Sequence, residues 1–182
     1  CNKSMSFQEC ELAILRQAVD DAETTQGKNI ATNSEVLRMI SILETFLKRK
    51  RCICYGGTAI NNILPKQAQF YDKDIEIPDY DFYSPNPLDD AKELADIYAD
   101  EGFLEVEAKA GVHHGTYKVY VNFLNIADIT QLDDIYYNNL KKSSKIVNGI
   151  MYCPPDFLRM SLYLELSRPK GDVSRWEKIF PR

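Results

Sequence analysis

Three stretches of the chain carry residue types that could do chemistry together. They are Tyr55-Gly56-Gly57-Thr58-Ala59-Ile60-Asn61-Asn62, Pro78-Asp79-Tyr80-Asp81-Phe82-Tyr83-Ser84 and Asn125-Ile126-Ala127-Asp128-Ile129-Thr130. In the first, two glycines stand between an apolar strand-like run, Cys52 to Tyr55, and a helical one, Ala59 to Leu64. Glycines at such a turn let the backbone approach a polyphosphate and adopt positive φ, while free N–H groups at the helix start point at the anion. In the second, Asp79 and Asp81 are two apart, so on a strand both carboxylates share one face with α-carbons about 6.6 Å apart. Asp128 falls in an apolar run with Phe123, Leu124, Ile126 and Ile129, where an acid is costly unless it is paired or holds a cation. Three acids facing one site favour a metal, and hard oxygen ligands select magnesium or manganese over zinc. The reaction this set suits is in-line phosphoryl or nucleotidyl transfer, with two ions roughly 3.5–4 Å apart on the attacking and leaving oxygens.

Positioning these side chains falls to a mixture of helices and strands. Ser6 or a neighbour can cap a helix to about Ala22, with Phe7, Cys10, Leu12, Ile14, Leu15, Ala18 and Val19 on or near one face and Gly27 as its stop. A second helix starts at Asn33 or Ser34, repeats Val36, Leu37, Ile40, Ile42, Leu43, Phe46 and Leu47 at helical spacing, and closes on Lys48-Arg49-Lys50-Arg51. Cations there are favoured by the helix dipole, and a solvated basic end is a better reading than an RNA contact. Pro65 to Pro78 reads as a loop, and Leu88 to Asp100 as an amphipathic helix stopped by Gly102, with its acids on a solvated face. Phe103 to Ala108 and Tyr117 to Phe123 alternate as strands around Gly111-Val112-His113-His114-Gly115, which makes the two histidines exposed turn residues rather than ligands. Leu132 to Leu140 reads as a short helix and Asn148-Gly149 as a hairpin turn. Pro154-Pro155 opens a helix to Leu166, and Val173 to Phe180 makes a last helical turn or two. The expected fold class is α/β (α+β): a mixed, partly antiparallel sheet carrying the three acids, with the first two helices and the Leu88 helix packed on one side.

At 182 residues and 45% hydrophobic, the chain can bury one real core and is short for two full domains. A net charge of −5 argues against nucleic-acid binding by overall field and leaves room for a local basic groove. Five cysteines with no Cys-x-x-Cys pair, and two adjacent histidines, suggest neither a disulfide framework nor a zinc site. With no run of eighteen apolar residues and no signal-peptide pattern, the expectation is a soluble intracellular protein.

Taken in order, the Gly-Gly-Thr turn, the Asp-x-Asp-Phe strand and the later strand aspartate resemble the DNA polymerase β-like nucleotidyltransferases. The wording around them is most similar to the poly(A) polymerase catalytic subunits of large cytoplasmic DNA viruses. The superfamily likeness runs from about Arg51 to Thr130, and the viral likeness extends to Leu166-Ser167-Arg168-Pro169-Lys170-Gly171-Asp172-Val173-Ser174-Arg175-Trp176-Glu177-Lys178. The resemblance implies template-independent addition of AMP from ATP to RNA 3′ ends, the polyadenylation of viral mRNA, by a two-metal mechanism using Mg2+ or Mn2+. Asp79 and Asp81 would ligate both ions, and Asp128 would hold the catalytic ion and orient the attacking 3′-hydroxyl. Gly56, Gly57 and Thr58 would hold the β- and γ-phosphates, with Asn61, Lys170, Arg175 and Lys178 completing the nucleotide-binding set. For Arg168 to Lys178, a hinge into a following domain is favoured over a nucleotide-phosphate contact.

The implied organisation is a single catalytic domain over 1–182, divided into N-terminal helices (1–50), a catalytic core (51–130) and a C-terminal helical extension (131–182), as a fragment of a larger protein. Its partners would be ATP and an RNA 3′ end, with no membrane, and a second copy or further domains of the same chain. Its place would be the host cytoplasm, in the viral factory, and the virion. One departure from the family pattern is the long gap from Thr58 to Asp79. The residues alone leave other readings open: a nucleotidyltransferase acting on a protein or small molecule, a catalytically silent dimerisation or RNA-binding module, or a metal-free structural domain.

Overall fold

The computed structural model describes residues 5–31, 33–72, 77–167 and 179. The chain divides into two compact units, one made of residues 1–37 and 72–77, the other of residues 38–71 and 78–182.

The smaller unit contains α1 (Phe7–Ala31) and the first turn of α2 (Ser34–Lys50). Ser6 starts α1 by a reciprocal box: its Oγ accepts from Glu9 N–H at 3.3 Å, and Glu9 Oε2 accepts from Ser6 N–H at 2.7 Å. The helix runs through Gly27 to Ala31 instead of stopping at the glycine, because a glycine inside a helix costs only about 1 kcal/mol against alanine. Its apolar residues Phe7, Leu12, Ile14, Leu15 and Val19 are exposed rather than in a core. Cys10 is disulfide-bonded, although the cysteine pattern suggested no disulfide framework. Asn33 caps α2 by accepting from Glu35 N–H at 2.8 Å.

The larger unit is built on a sheet whose order, among the described residues, is β3-β4-β5-β2-β1-β7-β6. The strands are β1 (Ile53–Tyr55), β2 (Tyr80–Ser84), β3 (Val106–Ala110), β4 (Thr116–Val121), β5 (Leu124–Gln131), β6 (Lys145–Val147) and β7 (Ile150–Tyr152). The pairs β2–β5 and β1–β7 are parallel and the rest antiparallel, so the sheet is mixed as expected. Strand β2 alternates strictly, burying Tyr80, Phe82 and Ser84 and leaving Asp81 and Tyr83 half-buried on the other face. On the buried face Phe46 of α2 meets Phe82 with ring centroids 6.2 Å apart. Tyr98 of α4 (Pro87–Asp100) ties that helix to α2 by donating to the Met39 carbonyl at 2.7 Å. On the other face Phe157 of α6 (Pro155–Leu166) lies edge-on to Tyr83. The remaining helices are α3 (Gly56–Ile63) and α5 (Asp134–Ser143), the latter capped by Asp133.

The basic end of α2 and the acids of α4 are not separate solvated faces. Lys50 bridges Asp90 at 2.7 Å and Glu93 at 3.0 Å, and Arg49 bonds Glu93 at 2.6 Å. Asp90 is only 6% exposed and also accepts from Ser84 Oγ. Burying one carboxylate of α4 required two partners, and α2 supplied the cation. The segment after α3 holds a 3-10 turn, Lys66–Ala68, followed by Phe70 and Tyr71, whose N–H groups both donate to Asn61 Oδ1 at 2.8 and 3.0 Å. The Asn148-Gly149 hairpin forms as expected, with φ of 52° and 82°.

Candidate active site

Strand β1 ends at Tyr55 and α3 begins at Gly56 itself, one turn earlier than the apolar pattern suggests. Gly56 has φ +77°, and a β-carbon there would lie 2.4 Å from Asp81 Oδ2. The glycine is therefore required twice, by its backbone and by the carboxylate packed on it. Two residues on, Thr58 is buried and its Oγ1 has no hydrogen-bond partner among the described residues. An orphaned hydroxyl in the first turn of a helix is expensive unless something else satisfies it.

Strand register aligns the rest. Tyr55 pairs with Asp81, Asp81 with Asp128, Asp128 with Lys118, and Lys118 with Lys109, one row running across β1, β2, β5, β4 and β3. Residues directly paired point to the same face, so two acids and two lysines stand side by side in front of the Gly56 turn. Asp79 lies one residue before β2, exposed, rather than on the strand as the two-residue spacing suggests.

Asp128 is held on both sides. Lys118 Nζ donates to Oδ2 at 2.5 Å and Asn125 Nδ2 to Oδ1 at 2.9 Å. Burial alone would lower the Lys118 pKa, but the hydrogen bond and charge of Asp128, with the field of Asp79 behind it, raise it above the ordinary lysine value. A second row braces the site: Tyr55 Oη is 2.9 Å from Thr130 Oγ1, which is 3.0 Å from Thr116 Oγ1. The Tyr55 ring stacks on Tyr83 at 4.1 Å. Burial first, then the charge of Asp81, push the Tyr55 phenol well above its ordinary value, so it serves as a fixed neutral strut.

The structure thus brings together Gly56, Gly57, Thr58, Asp81 and Asp128, with Asp79 at the margin. Asn61 is buried and its carbonyl oxygen is spent on Phe70 and Tyr71. Lys170, Arg175 and Lys178 lie outside the described residues. Lys118 was missed by sequence reasoning: the alternation of Tyr117 to Phe123 places it on a face, but only strand pairing shows that the face is that of Asp128. Among the described residues no three or more His, Cys, Asp or Glu side chains are drawn close enough to hold an ion as they stand. The donor chemistry nonetheless fits a divalent cation, because the two hard carboxylates of Asp81 and Asp128 are direct cross-strand neighbours.

The mixed sheet, the glycine turn at the head of α3 and the paired strand aspartates define a nucleotidyltransferase domain. Residues 41–172 match the family model described as poly(A) polymerase catalytic subunit. The chain belongs to that family. It is 31% identical over 159 residues to an African swine fever virus protein named as a poly(A) polymerase catalytic subunit, covering 85% of this chain and 32% of that protein. It is 30% identical over 174 residues to a protein of the same name from Acanthamoeba polyphaga mimivirus, covering 92% and 29%. The crystal structure of the Megavirus polyadenylate synthase superposes with a TM-score of 0.81 at 28% identity, over 100% of this chain and 38% of that one. The chain therefore spans about a third of the length of the relatives it matches. No described helix is long and apolar enough to cross a membrane.

Proposed function

We propose that this domain carries the catalytic centre for ATP-dependent, template-independent addition of AMP to RNA 3′ ends. The observation that carries the proposal is the direct pairing of Asp81 with Asp128 in front of the turn where Gly56 packs on the Asp81 carboxylate. Adenylate and RNA come from the family, whose relatives in a swine virus and an amoebal virus carry the poly(A) polymerase name; the same kinship supports a site of action in the host cytoplasm.

In the reaction the RNA 3′-oxygen attacks the α-phosphorus of ATP, the bond to the β-phosphate oxygen breaks, and pyrophosphate leaves. Magnesium or manganese ions held by Asp79, Asp81 and Asp128 would supply positive charge to the attacking and leaving oxygens. Asp128, fixed by Asn125, would help deprotonate, or at least orient, the attacking 3′-hydroxyl. The first-turn N–H groups of α3 and the Thr58 hydroxyl, which has no partner among the described residues, are suited to phosphate oxygens. Catalysis of this kind is mostly positioning and charge stabilisation, which suits side chains anchored on paired strands. The single-domain organisation over 1–182 and the nucleotide contacts of Asn61, Lys170, Arg175 and Lys178 belong to the same proposal, as do a second copy or further domains as partners.

The test uses labelled RNA, each NTP separately and Mn2+, with the chain alone and within the longest reading frame that encodes it, beside Asp81→Asn in both. Tails made from ATP and abolished by Asp81→Asn are expected. Label passed to protein or to a small acceptor, with RNA untouched, would overturn the RNA assignment and keep nucleotidyl transfer.

A further inference from the structure

We infer that Lys118 is the resident counter-ion of the third acid, and that a divalent ion must displace it from Asp128 to bind. The inference rests on the metal reading of the acids given above and adds to it a residue that controls metal occupancy.

The argument starts from register. Lys118 on β4 and Asp128 on β5 are direct cross-strand partners, so their side chains leave the sheet on the same face without any choice of rotamer. The ammonium reaches the Oδ2 oxygen at 2.5 Å, and both side chains are largely shielded, 27% and 19% exposed. Asn125 takes the other oxygen. Both Asp128 oxygens are thus engaged by donors from the protein, and an ion approaching from the Asp81 side meets a carboxylate whose charge is already matched.

The neighbouring lysine of the row, Lys109, behaves differently. It is 53% exposed, pairs with Glu107 at 2.9 Å and lies over the Tyr120 ring. Of the two cations in the row, only Lys118 is turned to the acids, and Asp79 contributes to its field as well. One ammonium therefore offsets part of the charge of Asp128 and Asp79.

A divalent ion and an ammonium cannot share one carboxylate oxygen at contact distance, since like charges at that separation repel strongly in a shielded site. Lysine is suited to leaving: it is a single point charge on a four-carbon stem, and it can let go of Asp128 without moving the backbone of β4. The pair thus works as an exchange, ammonium for metal, on a strand that stays in place.

The experiment measures Mn2+ binding by isothermal calorimetry and by the electron paramagnetic resonance signal of the free ion. It uses the wild-type chain, Lys118→Met, Lys118→Gln, Lys109→Met and the double variant Asp81→Asn, Asp128→Asn. Loss of the counter-ion is expected to tighten Mn2+ binding about tenfold in both Lys118 variants, the equivalent of one pKa unit of differential interaction. Lys109→Met, which removes the same charge one strand away, should change the affinity less than about twofold. The Lys118 variants should also melt lower than wild type without metal and gain more from saturating Mn2+. Unchanged or weaker binding in whichever Lys118 variant folds would overturn the counter-ion role while leaving the metal site standing. Equal tightening in Lys109→Met would overturn it too, by showing a general field effect. Absent Mn2+ binding in wild type, or binding that survives the double acid variant, would remove the metal reading and this inference together.

Discussion

Two residues of the α3 turn carry opposite energetic signs, and substitution separates them. Gly56 stands at φ +77° with the Asp81 carboxylate where a methyl would go. Gly56→Ala should therefore lower stability by about 1–3 kcal/mol in urea titrations and abolish transfer, because backbone strain adds to a displaced acid. Thr58 is the reverse case. Its hydroxyl is buried without a partner among the described residues, so Thr58→Val should raise stability by about 1 kcal/mol while raising the KM for ATP. A Thr58→Val chain that is less stable, with KM unchanged, would show that the hydroxyl has a structural partner instead.

Among the elements, the α2–α4 contact rests on a polar set inside an apolar layer. Asp90 is nearly buried, accepts from Ser84 Oγ and is paired with Lys50, which is 31% exposed. Asp90→Ala should cost about 2 kcal/mol by urea denaturation, discounted from a fully buried pair because Lys50 keeps water. Asp96→Ala, on the exposed side of the same helix, should stay within about 0.5 kcal/mol. Tyr98→Phe loses the bond to the Met39 carbonyl and should cost about 1 kcal/mol. Most elements were legible in the sequence as helical stripes, alternation and caps. The α2–α4 pairing was not, because acids on an amphipathic helix look the same whether water or a lysine from another helix faces them.

For the molecule as a whole, the larger unit buries thiols that no reaction uses. Burial pushes Cys153 up to about 12, and burial with the charge of Asp90 does the same for Cys52. A folded-state pKa raised above the unfolded value near 9 means that, between the two, the folded chain binds more protons than the unfolded one. Stability is then complete below about pH 9 and falls as pH rises towards 12. Thermal melts at pH 8, 9, 10 and 11 should show Tm constant at first and then dropping, with Cys52→Ser, Cys153→Ser flattening the slope. A slope unaltered by the double substitution would assign the loss to the buried tyrosines instead.

The sequence by itself carried the residue types on which the proposed chemistry rests. Glycines at a strand-to-helix turn, acids two apart and a lone acid in an apolar run are local facts, and the proposal of phosphate-transfer chemistry rests on that residue type and spacing. It also determined the mixed class of the fold, since periods of two and of three to four are local as well. What only tertiary structure decided is which residues meet. That Asp81 faces Asp128 depends on the register of β2 against β5, and that Lys118 closes on Asp128 depends on β4 against β5. Register is a property of a strand pair, so neither sequence segment contains it. The exposed stripe of α1 shows the same limit: apolar spacing marks a face that can be buried, and burial itself needs a second surface.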